Sequence, residues 1–80
     1  MYIKEKVYWF HMSEFEKIAA FASWCIEEYS AFYRMDPTTV ANSFAQKGII
    51  SFLEKHYEVL HTQGKDYILG TLDDLMKKGD

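Results

Sequence analysis

The chain has 80 residues, 49% of them hydrophobic and 18% aromatic, with nine Lys+Arg against twelve Asp+Glu and a net charge of −3. The apolar fraction excludes a disordered chain, which lacks the surface needed to offset ordering entropy. The acidic balance argues against a general nucleic-acid binder, whose affinity comes from cations displacing counterions.

A domain this short buries only about 60% of the surface its unfolded chain exposes. Six Phe, six Tyr and two Trp compensate, since each ring buries a large apolar area. The expected organisation is one domain over residues 1–80, with 1–14 as an N-terminal extension and 15–78 as a helical core. The lone Cys25 cannot form an internal disulfide. The uncharged run Ile18–Ile26 is too short to span a bilayer, and Lys4, Glu5 and Lys6 are followed by no secretory apolar core. A cytoplasmic protein with no membrane association is expected.

In chain order, residues 1–12 are open between an edge strand and a short helix. The helix is favoured, because no second strong strand exists to pair with this segment. Ser13 and Glu16 then form the S-x-x-E capping box that opens a helix. Phe15, Ile18, Ala19, Ala22, Cys25, Ile26, Tyr29, Phe32 and Tyr33 come after it at helical spacing and supply its core stripe. This helix should end near Met35, because the residue before Pro37 is pushed out of helical geometry. Asp36 and Pro37 begin a second helix as N-cap and first helical residue, with Val40, Ala41 and Phe44 inward and Gly48 as its left-handed terminator. A short third helix runs Ile49–Lys55. Segment 56–64 (HYEVLHTQG) fits a loop of extended character as well as a continued helix, with Thr62 capping the last helix. That helix, about Gln63–Lys78, buries Ile68, Leu69, Leu72, Leu75 and Met76. The fold class is all-α, a bundle of four or five helices.

No residue set assembles a catalytic, cofactor or metal site. Glu27 and Glu28 beside Cys25 disfavour a thiolate, so Cys25 reads as a buried structural thiol. His56, Glu58 and His61 lack the i, i+4 spacing of a helical zinc pair. There is no Ser-His-Asp order and no Gly-rich phosphate loop. The second and third helices, joined at Gly48, have the outline of a helix-turn-helix. The would-be reading helix offers Ser51, Glu54 and Lys55, a poor match to phosphate.

Trp24 falls opposite the stripe centred on Ala22, Ile26 and Tyr29, flanked by Glu27 and Glu28. Either Tyr8, Trp9 and Phe10 fold over it, or Trp24, Trp9 and Phe10 with Glu27 and Glu28 form a docking surface for a protein partner or a second copy in a homodimer.

Cys25-Ile26-Glu27-Glu28-Tyr29, Phe44 with Lys47-Gly48, Phe52-Leu53 and the segment HYEVLHTQ (56–63) resemble a bacterial family known as domain of unknown function 3791. The resemblance covers about residues 16–78. It implies no established activity, and the family's encoding beside other small proteins, some ADP-ribosyltransferase-like, implies an accessory or antitoxin-like role. The motif positions carried over are Glu27, Tyr29, Tyr57, Glu58, His61 and Thr62. A structural role explains them equally well, with Glu27 or Glu58 bonding His61 and the Tyr side chains sealing the bundle. The leading expectation is a non-enzymatic protein-interaction module, and the alternative is a helix-turn-helix regulator.

Overall fold

The computed structural model describes residues 12–78. Five helices succeed one another among them: α1 (Glu14–Tyr33), α2 (Pro37–Gln46), α3 (Ile49–Lys55), α4 (Tyr57–Leu60) and α5 (Lys65–Lys78). No strand occurs among the described residues. The question of strand or helix at the N-terminus, together with Trp9 and Phe10, lies outside them.

Local chemistry sets the boundaries. At the start of α1, Ser13 Oγ accepts from the Glu16 amide at 3.1 Å, and Glu16 Oε1 accepts from the Ser13 amide at 2.9 Å. Both contacts satisfy amides that the first turn leaves without partners. The Ser13 amide donates to the ionised form of Glu16 and holds its carboxyl below the usual carboxylate range. α1 ends two residues before Met35. Arg34 takes the left-handed conformation at φ 55, and the Met35 amide bonds back to Ser30 O at 2.8 Å. Asp36 then caps α2, its carboxylate accepting from the Thr39 amide at 3.1 Å with Pro37 at the first position. Gly48, at φ 73, turns the chain from α2 into α3. Nothing lies within 4 Å of where its Cβ would be, so backbone conformation alone selects glycine.

Segment 56–64 becomes one helical turn, α4, with a bend after it. Thr62 does not cap α5: its hydroxyl donates backward to Val59 O at 2.9 Å, and α5 starts at Lys65.

All five helices contribute to one core. Phe21, Cys25 and Tyr29 from α1 meet Val40 and Phe44 from α2, Ile49 and Leu53 from α3, Tyr57 and Leu60 from α4, and Ile68, Leu69 and Leu72 from α5. Phe44, Leu53, Leu72, Val40 and Cys25 have no exposed surface. Buried Ser30 donates to Ile26 O at 2.6 Å, so its hydroxyl is satisfied inside its own helix.

The inward face of α1 departs from the sequence expectation. At about 100° per residue, the stripe Phe21–Cys25–Tyr29 is turned roughly 60° from one centred on Ala22, Ile26 and Tyr29. Phe21, absent from the expected stripe, is buried; Phe15, Ala19, Phe32 and Tyr33, included in it, are exposed. Apolar side chains occur nearly all the way round this helix, so spacing alone does not single out one face. The partners choose it: Phe21 meets the Tyr57 ring edge-on at 5.6 Å, and Tyr29 meets Phe44 edge-on at 5.6 Å.

Two outcomes check this arrangement. In urea titrations, Phe21→Ala lowers stability by about 3 kcal/mol while Phe15→Ala changes it by less than about 0.5 kcal/mol; equal costs would contradict the rotated face. Arg34→Gly raises stability by about 0.5–1 kcal/mol, because glycine relieves the left-handed strain and gives part of that gain back through unfolded-state entropy.

Candidate interaction surface

Three regions carry the residues singled out from the sequence: the flank of α1 around Trp24, the corner where α1 meets α2, and the turn around α4. On the flank, Trp24 does not stand opposite the core. Its ring stacks on Phe21 at 6.2 Å and 16°, and the side chain is half-buried against the core rim. Glu27 is exposed beside it. Glu28 is engaged within the fold, pairing with Lys65 Nζ at 3.1 Å across to the first residue of α5. Such a bridge between accessible side chains contributes at most about 1 kcal/mol.

The corner holds the feature that sequence reasoning missed. Phe32 is 65% exposed, Tyr33 42% and Met35 37%. The Phe32 and Tyr33 rings meet edge-on at 5.0 Å. At about 1.5 Å per residue, α1 is about 30 Å long, while α2, α3 and α5 have 10, 7 and 14 residues against its 20. Among the described residues no neighbour is long enough to cover both ends of α1, and Phe15 and Phe32 project beyond the packed middle. The signal was present in the sequence as a disparity in helix lengths, which periodicity within one helix does not register.

A polar cluster lies directly below these rings. Tyr29 and Tyr33, with ring centres 4.6 Å apart, both feel the Asp73 carboxylate on α5, and Lys77 Nζ sits 2.9 Å from Asp73 Oδ2. The hydrogen bonds from Lys77 and Tyr33 hold the Asp73 carboxyl below its ordinary range. Its bond to Asp73 pushes the Tyr33 phenol up. Burial does the same to Tyr29, with the Asp73 charge adding to it. Asp73 in turn raises Lys77.

The turn around α4 is self-contained. His61 Nδ1 lies 2.8 Å from Tyr57 O, and its ring stacks on the Tyr57 ring at 4.4 Å and 9°. The expected carboxylate partner is thus replaced by a backbone carbonyl four residues back. Glu58 is exposed, as is Thr62. His56 packs against the Phe52 ring at 4.4 Å. Among the described residues, no group of three or more His, Cys, Asp or Glu side chains is placed to hold a metal ion, and no helix is long and apolar enough to cross a membrane. Cys25 is fully enclosed, and burial pushes its thiol up to about 12.

Helices alone, sharing one aromatic-rich core, define the described residues as a small all-α fold. A family model described as "Protein of unknown function (DUF3791)" matches residues 20–79. The chain belongs to that family. Comparison with curated proteins and with solved structures finds no match.

The Asp73 cluster has a definite pH signature. A carboxyl held low in the folded state contributes stability that is complete above the ordinary carboxylate range and is lost as pH falls through the lowered value. The raised Tyr33, Tyr29 and Lys77 contributions are complete below their ordinary ranges and are lost as pH rises through the raised ones. Thermal midpoints measured from about pH 1.5 to about pH 10 should therefore differ most between wild type and Asp73→Asn on the neutral plateau and converge at the acid end. A constant offset down to the lowest pH would contradict the assignment. A thiol reagent at neutral pH should leave Cys25 unmodified in the folded protein and label it fully in denaturant, as expected for a buried, protonated thiol.

Proposed function

We propose that this domain is a non-enzymatic protein-interaction module, an accessory or antitoxin-like partner of a neighbouring gene product, acting in the bacterial cytoplasm. The observation that carries this reading is the apolar corner of Phe32, Tyr33 and Met35, large side chains left exposed at the end of α1. Contiguous exposed aromatics are uncommon on monomeric proteins and are enriched where partners bind. The corner is well defined: the left-handed Arg34, the Met35–Ser30 bond and the Asp36 cap fix the backbone on its far side, which lowers the ordering cost of association. Trp24 and Glu27 extend the same helix with a half-buried ring and an exposed carboxylate, and Trp9, Phe10 and Glu28 complete the candidate set. Self-association into a homodimer through these residues is the variant in which the partner is a second copy.

A second reading, a helix-turn-helix nucleic-acid regulator, is favoured by one observation: α2 and α3 are joined through a left-handed Gly48 in the outline of that motif. The exposed face of α3 counts against it, presenting Ser51, Glu54 and Lys55 without arginine.

Co-expression with the product of the adjacent gene, then purification and titration, separates these readings. The interaction reading expects a complex that survives purification and is weakened at least about tenfold by Phe32→Ala or Trp24→Ala, with Glu54→Gln neutral. Clean separation at micromolar concentration, together with a monomer in sedimentation, would sink it. Retention on DNA at low salt with a steep loss on adding salt would instead support the regulator.

A further inference from the structure

We draw no further inference here: the strongest candidate, the exposed Phe32–Tyr33–Met35 patch at the corner between α1 and α2, belongs to the surface already described, and nothing in the structure shows what covers it.

Discussion

The rotation of α1 about its own axis is the constraint on which the remaining geometry depends. Cys25 lies at the centre of the inward face, with Phe21 one turn before it and Tyr29 one turn after. Phe21 reaches Tyr57 of α4, and Tyr29 reaches Phe44 of α2. Both ring pairs meet edge-on, the arrangement that sets the positive rim of one ring against the negative face of another. With the helix turned this way, Trp24 comes to the core rim on top of Phe21, Tyr33 swings toward α5, and Phe15 is left in water. A different rotation would redistribute every one of these side chains.

α5 illustrates how apolar and polar contacts divide the work. Ile68, Leu69 and Leu72 bury the middle of the helix, and at about 25 cal/mol per Å² of apolar area this burial dominates its attachment. The polar contacts sit toward its two ends, Lys65 with Glu28 in the first turn and Asp73 with Tyr29, Tyr33 and Lys77 further along. Exposed ion pairs add little stability. Of these, Lys65–Glu28 bridges α5 to α1, whereas Asp73–Lys77 lies within α5 itself. Tyr33 lies beside this cluster, and its ring meets Phe32 edge-on at the exposed corner.

The surface that supports the interaction reading arises from lengths rather than from any dedicated motif. A 20-residue helix packed against shorter partners has ends that those partners do not cover. Here those ends carry exposed Phe15, between Glu14 and Glu16, and exposed Phe32, two residues before Arg34. Motif positions around α4 contribute differently: Tyr57 is core, and His61 closes the turn against a backbone carbonyl and the Tyr57 ring. Their chemistry is absorbed by the fold, and the exposed aromatics at the end of α1 are not.

The sequence by itself determined the all-α class, the capping box at Ser13, the Asp36–Pro37 start of α2, the left-handed Gly48, the limits of α3, and the family shared over residues 20–79. The local features among these rest on residues within a few positions of one another, where caps, proline and glycine act through backbone geometry. Segment 56–64 and the left-handed Arg34 were not legible, the first because one turn of helix has no stability apart from its packing, the second because arginine carries no local preference for that conformation. Only the tertiary structure decided which face of α1 is buried, that Phe21 is core, that Trp24 rests on it, and that Phe32 stands in solvent. Helical spacing shows which side chains share a face, but burial depends on whether a neighbouring helix is present and long enough to cover that face.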